Sequence, residues 1–423
     1  MTQLNAISVR SELQRTVEEA VQRAAVLDMH THLYPPEFGT LCTWGIDDLL
    51  TYHYLVAELF RSSPVTPQQF WELPKQRQAD LIWDALFVQN TPLSEATQGV
   101  ITVMTRLGLD PTKPDLLEAR RYFAAVDVRE YTIQVMDLAN VSELVMTNDP
   151  FNRVEAALWM HNDVGSPRFH AALRLDALIN NWTATYHMLE AEGFRCSAEL
   201  SPHSISEIRR FLDLWIARMR PLYLAGSLPF DFTYGDDSSR TRILREAVLP
   251  TSLQHGVPIA IMIGVARQVN PALRDGGDSV GHAGIRDIER ICLENPDVRF
   301  LVTMLSLENQ HELCVAARKF RNLMPFGCWW FLNNPSVVAT VTAQRLEMLG
   351  PTFIPQHSDA RVLDQLIYKW PHARRAIAAA LYDSYLRLVS DGYPLTREKI
   401  EHDVNRMFSG NFRDWVGLPG RDA

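Results

Sequence analysis

Short apolar runs and longer amphipathic stretches alternate along most of this chain, and their different periods predict different elements. Near the start, Leu13, Val17 and Val21 recur at helical spacing behind a Ser11-x-x-Gln14 capping pattern. They lead into Ala24–Leu27, an apolar run that reads as a buried strand. It breaks into Asp28-Met29-His30-Thr31-His32 and is stopped by Pro35-Pro36. From Glu143 onward the strand-like runs are Glu143–Thr147, Arg168–Arg174, Phe194–Leu200, Leu222–Leu228, Pro258–Val265, Arg299–Leu305, Leu323–Phe331 and Phe353–Ser358. Helical patterns fall between them. One stripe, Ile205 to Met219, follows a Ser204-x-x-Glu207 capping box; another, Ile285 to Cys292, stops at Asn295-Pro296. Helical patterns also cover Val362–Gly392, with an interruption near Pro371, and Glu398–Phe408.

Strands alternating with helices predict a parallel sheet, and this number of strands predicts an α/β fold of the (β/α)8 TIM-barrel type. With the histidine strand there are nine candidates, one more than such a barrel needs. Either Phe194–Leu200 or Leu222–Leu228 lies outside it, and the pattern does not choose. The segment 37–140 has no convincing strand and is rich in Trp, Leu and Ala. It is expected to be a large helical insertion after the first strand, covering that strand's C-terminal end. Residues 1–423 then form a single domain.

Composition narrows the picture. A hydrophobic content of 47% and a charged content of 22% are those of a globular protein with a large core. The net charge of −9 disfavours nucleic acid or an anionic membrane surface as partner, so recognition of an anionic substrate requires local arginines. Five cysteines without a C-x-x-C pair point to reduced, buried thiols in a cytoplasmic protein. No signal-peptide core and no membrane-length apolar stretch is present in the sequence. A homo-oligomer stays possible.

The candidate chemistry gathers at the strand ends. Side chains alternate along a strand, so His30 and His32 face the same way, roughly 6–7 Å apart along it, and can converge on one ion. Asp359 follows the last apolar run and would lie beside the first strand in a closed barrel. It would complete a His-His-Asp metal site with open positions, which is a catalytic arrangement; as a helix N-cap it would serve structure instead. Arg361 and Arg174 either hold a substrate oxygen or pair with acidic neighbours. Of Trp329 and Trp330, at most one need face the site.

These residues together resemble the uronate isomerase (glucuronate isomerase) family of the amidohydrolase superfamily. The markers are Asp28-x-His30-x-His32, His53-Tyr54, Thr147-Asn148-Asp149-Pro150, Arg174-Leu175-Asp176, Gly327-Cys328-Trp329-Trp330-Phe331 and Ser358-Asp359-Ala360-Arg361, in that order from about Ala24 to the C-terminal helix. The resemblance implies an aldose–ketose isomerase, an intramolecular oxidoreductase acting on a small-molecule hexuronate. It would convert D-glucuronate to D-fructuronate, or D-galacturonate to D-tagaturonate, by proton transfer between C2 and C1. It implies one divalent ion, zinc, held by His30, His32 and Asp359. Catalytic roles fall on Asp359, Tyr54, His53 and Arg361, and substrate contacts on Arg174, Arg361, His53, Tyr54 and Trp329. One departure is Met262 in Ala260-Ile261-Met262-Ile263-Gly264, where many members carry a histidine; its absence suggests looser metal binding. The alternatives are a mononuclear amidohydrolase-type hydrolase or decarboxylase acting on a small carboxylate, and a non-catalytic sugar-acid binder.

Overall fold

The computed structural model describes residues 2–161 and 166–419. Its strands are β1 (Val26–Thr31), β2 (Val141–Asn148), β3 (Phe169–Arg174), β4 (Leu224–Pro229), β5 (Ile259–Ala266), β6 (Ser279–Val280), β7 (Phe300–Met304) and β8 (Leu323–Pro325). They form one curled sheet in the order β1-β2-β3-β4-β5-β7-β8, parallel throughout, with β6 added antiparallel to β5. β1, β7 and β8 are buried along their whole length and β2 and β5 at all but one residue, as both faces of a parallel sheet covered by helices require. Between β1 and β2 the described residues contain helices and no strand.

Of the two rival runs, Leu222–Leu228 supplies β4. Phe194–Leu200 is a turn-rich approach to the helix Pro202–Met219. Phe194, Cys196 and Leu200 are buried at every second or fourth position, which mimics a strand. Their backbone nevertheless turns, and Phe194 packs edge-on to Phe211 at 5.4 Å. That helix is capped by Ser201, one turn before the expected Ser204, with Pro202 in its first turn. The N-terminal helix likewise spans Thr2–Arg23, so Ser11 lies inside it. The helix Leu366–Ser390 runs on through Pro371, where the pattern predicts an interruption; it is held there by the buried Trp370, which donates to Asp28, and the buried Arg374, which donates to Ala24 O.

The last expected strand, Phe353–Ser358, is an extended connection that joins the two sheet edges. Ile354 N–H donates to Pro325 O (3.1 Å), and Gly327 N–H donates to Ile354 O (2.8 Å). On the other side Asp359 N–H donates to His30 O (3.1 Å), and His32 N–H donates to Ala360 O (2.8 Å). Pro355 has no N–H to give, and Asp359 adopts φ 48°, so no regular ladder develops. The expected strand Leu323–Phe331 stops early for a related reason. Gly327 turns with φ +62°, and a Cβ there would lie 1.7 Å from His357 Nδ1.

Inside the curl lie Leu27, Met29, Val145, Ala260, Leu301 and Phe326. Phe412, from the C-terminal helix Asn411–Val416, closes this core beneath Tyr223. Arg374 joins the starts of β1 and β2 by donating to Ala24 O (2.9 Å) and Asn140 O (3.1 Å). All five cysteines are free thiols, four of them buried. Among the described residues no helix is long and apolar enough to cross a membrane.

Candidate metal centre and surrounding cavity

His30 and His32 leave the C-terminal end of β1 on the same side, and the connection from β8 brings Asp359 against them. Asp359 Oδ1 lies 3.7 Å from His30 Nε2 and 3.3 Å from His32 Nε2. One ligand atom from each of the three residues falls within 4.8 Å of the others.

The far side of each ring decides what these nitrogens can do. The single hydroxyl hydrogen of Tyr223 goes to Met29 O (2.7 Å), so its oxygen must accept from His30 Nδ1–H (3.1 Å). Likewise Thr147 Oγ1 donates to Thr31 O (2.6 Å) and accepts from His32 Nδ1–H (2.9 Å). Both rings therefore carry their hydrogen on Nδ1 and present a bare Nε2 lone pair toward Asp359, the tautomer of a metal-ligating histidine. Burial holds both rings neutral, lowering His30 to about 3 and His32 to about 4. Two lone pairs and a carboxylate facing one another in a buried site are mutually repulsive, and a cation removes that conflict. The residues present thus fit a divalent ion.

Asp28 fastens this arrangement. Fully buried, it accepts from Ser358 N–H (3.0 Å) and Trp370 Nε1–H (2.8 Å), tying β1 to the Asp359 segment and to the long helix. Burial raises its carboxyl to about 6. Lys369 Nζ donates to Ser358 O (2.7 Å), and burial lowers it to about 8. Asp359 sits in the left-handed region, a conformation that persists only because the flanking backbone bonds hold it.

The cavity over these ligands is lined by Tyr52, His53, Arg174, Arg361, Trp329 and Trp330, with Met262, Ser227 and Arg267. Arg174 both faces the cavity and pairs with Asp176 (2.7 Å), so its two readings are compatible. Arg361 stands 3.9 Å from an exposed Asp275. Both tryptophans line the cavity where one was expected. Tyr54 does not line it; with Lys369 it lines the neighbouring cavity across Trp330. Its place on the ligand side is taken by Tyr52, whose ring lies 4.9 Å from that of Tyr54. His53 Nε2 is buried without a hydrogen-bond partner, and burial lowers the ring to about 3. Tyr52, Tyr223, Lys369 and Arg267 were not singled out from the sequence. Tyr52 adjoins the His53-Tyr54 marker, but the others carry no local signature.

No protein-family model matches the chain, and no curated protein matches it. Among solved structures, a uronate isomerase from Bacillus halodurans superposes with a TM-score of 0.95 at 50% identity, covering 97% of each chain. The chain belongs to the uronate isomerase family. A glucuronate isomerase from Caulobacter crescentus (TM-score 0.78, 16% identity, 97% of this chain and 95% of that one) has the same fold. So does a uronate isomerase from Thermotoga maritima (0.79, 12%, 96% and 97%). In this uronate isomerase family member Met262 lies on β5 between Ser227 and Thr303 and reaches the cavity wall. A thioether stands there, with no imidazole.

Proposed function

We propose that the protein is a uronate isomerase that converts an open-chain hexuronate aldose into its 2-keto acid, D-glucuronate into D-fructuronate and D-galacturonate into D-tagaturonate. The observation that carries this reading is a neutral His–His–carboxylate set sharing one cavity with arginines, in a chain half identical to a uronate isomerase. Zinc suits two imidazole nitrogens and one carboxylate oxygen with positions left open. When bound, such an ion polarises the substrate oxygens as a Lewis acid.

The chain's own residues bind, orient and move protons. Arg174, steadied by Asp176, and Arg361 offer forked donors to a sugar-acid carboxylate, a geometry that lysine lacks. Isomerisation removes the hydrogen of C2 as a proton; its electron pair forms the C1–C2 double bond while the C1 oxygen takes up a proton. A proton then adds at C1, the C2 hydroxyl gives one up, and the ketone results with no atom gained or lost. Asp359 accepts the C2 proton through its second oxygen, and neutral His53, with the Tyr52 ring beside it on the cavity side, passes the hydroxyl proton. Trp329 walls the substrate. The insertion 37–140, which carries His53, covers the mouth and excludes water from the enediolate.

Incubating the zinc-loaded protein with D-glucuronate and with D-galacturonate, and following the ketose by NMR, tests the reading. A 2-keto acid should form from at least one epimer, with solvent deuterium at C1 when the reaction runs in heavy water. Neither ketose forming would overturn it.

A further inference from the structure

Adjoining the cavity over His30, His32 and Asp359 is a second one of about 370 Å³, and Arg174, Ser227 and Arg267 line both. Its outer wall is formed by Asn180 and Arg240. The four arginines around these two spaces are not alike. Arg174 pairs with Asp176 (2.7 Å), Arg267 with Asp278 (2.5 Å), and Arg361 stands 3.9 Å from Asp275. Arg240 forms no ion pair among the described residues; its Nε–H donates to Asn180 Oδ1 at 3.0 Å. Asn180 is itself oriented, donating from Nδ2 to Ser227 O at 2.8 Å. The nearby Asp236 directs its carboxylate to the N–H (3.2 Å) and hydroxyl (2.6 Å) of Ser238. A guanidinium with no ion-pair partner among the described residues, its charge felt by Asp236 without direct contact, thus lines a cavity adjoining the ligand cluster, in a protein of net charge −9.

We propose that this outer cavity is a carboxylate-docking subsite in which Arg240 captures the acid group of an incoming sugar acid before the sugar reaches His30, His32 and Asp359. This rests on the uronate reading for the identity of the anion. An acidic surface repels an anionic substrate, and a local positive potential in a low-dielectric cleft reverses that along one route. Because Asn180 engages only the Nε–H, the charged end of Arg240 stays free to draw in a carboxylate by its charge. Capture on the way in acts on encounter, so it raises kcat/KM and leaves kcat unchanged.

The test uses the zinc-loaded protein and its Arg240→Gln and Arg240→Lys variants, titrated calorimetrically with D-gluconate, a six-carbon sugar acid with no carbonyl to isomerise, and with neutral sorbitol as control. In about 20 mM NaCl, Arg240→Gln should bind gluconate roughly five- to tenfold more weakly, and the difference should shrink to less than about twofold in about 500 mM NaCl, where charges are screened within a few ångströms. Arg240→Lys should stay within about threefold of the parent, since it keeps the charge, and sorbitol should not discriminate. With D-glucuronate as substrate, Arg240→Gln should lower kcat/KM by a similar factor at unchanged kcat. Equal gluconate binding by the parent and Arg240→Gln at low salt would overturn the proposal. So would a loss that persists undiminished at high salt, which would mark a packing role. Gluconate binding that depends on Arg240 without turnover of glucuronate would retain the subsite and refute the isomerase assignment, so the two failures are distinct. Were Arg240→Gln to fold poorly, the salt dependence of gluconate binding by the parent and Arg240→Lys decides instead, and a flat dependence refutes capture by charge.

Discussion

Each histidine proposed as a ligand depends on an acceptor behind it. Removing the Tyr223 hydroxyl frees His30 Nδ1–H, so the ring no longer has a fixed tautomer or angle. Tyr223→Phe should therefore weaken zinc binding about ten- to a hundredfold while the fold persists, measured by competition with a chelator. Unchanged affinity would show that the hydroxyl does not orient the ring. Replacing both His30 and His32 with asparagine should abolish stoichiometric metal by elemental analysis, since only Asp359 of the cluster remains. Arg174→Lys should lower kcat/KM roughly ten- to a hundredfold, the equivalent of a lost charge-assisted contact of about 1.5–3 kcal/mol. Near-parental turnover would confine Arg174 to its bond with Asp176. The two histidines could be read from the sequence because alternation along a strand fixes their common face. Tyr223 and Thr147 could not be read this way: Tyr223 reaches its ring from just before β4 and Thr147 from β2, and nothing near either residue advertises the partner.

Between the first strand and the last connection, Asp28 is the fastening that holds the ligands in register. Both of its oxygens receive hydrogen bonds, from Ser358 N–H and Trp370 Nε1–H. Asp28→Asn would point an amide donor at one of those donors, a buried conflict costing about 1–3 kcal/mol. A melting temperature lower by a few degrees, with reduced metal content, is the expected result; a melt identical to the parent's would mean the segment is held by its backbone bonds alone. At this scale the alternation of strands and helices was plain in the sequence, since most buried parallel strands are continuous apolar runs. Two elements were not. Phe194–Leu200 places its apolar residues at strand spacing while its backbone turns into the capped helix at Ser201. Phe353–Ser358 has a strand's composition, but Pro355 and the left-handed Asp359 deny it a ladder. Tertiary bonds decide both, and a local pattern does not carry them.

For the molecule as a whole, four neutral histidines, two buried and two half-buried, set the response to acid. Burial lowers His30 to about 3, His32 to about 4 and His53 to about 3, and takes His357 well below its ordinary value. Unfolding lets each bind a proton from about pH 6.5 downward, so the unfolded chain gains protons and stability falls as pH drops. Asp28, at about 6, and Glu155, at about 7, act in the opposite sense, because their buried native forms keep protons that the unfolded carboxyls release above about 4. The two sets partly offset between about pH 6.5 and 4. Below that Asp28 and Glu155 are protonated in both states, and the loss from His30, His53 and His357 continues unopposed by them, at about 1.4 kcal/mol per pH unit for each such proton. The urea midpoint of the metal-free protein should thus decline moderately to about pH 4 and steeply beneath it; a midpoint level throughout would refute this account. The closure of the sheet has a consequence for biosynthesis. Among the described residues, the outer edge of β1 is met by the segment Ser358–Ala360, more than three hundred residues later. While the ribosome is still making the middle of the chain, that edge stays open and the third proposed ligand does not yet exist, so a divalent ion has no complete set to enter. A chain ending at Leu349 should therefore emerge metal-free and aggregate through its bare first strand, whereas co-expressing the missing piece, residues 350–423, should restore both solubility and zinc.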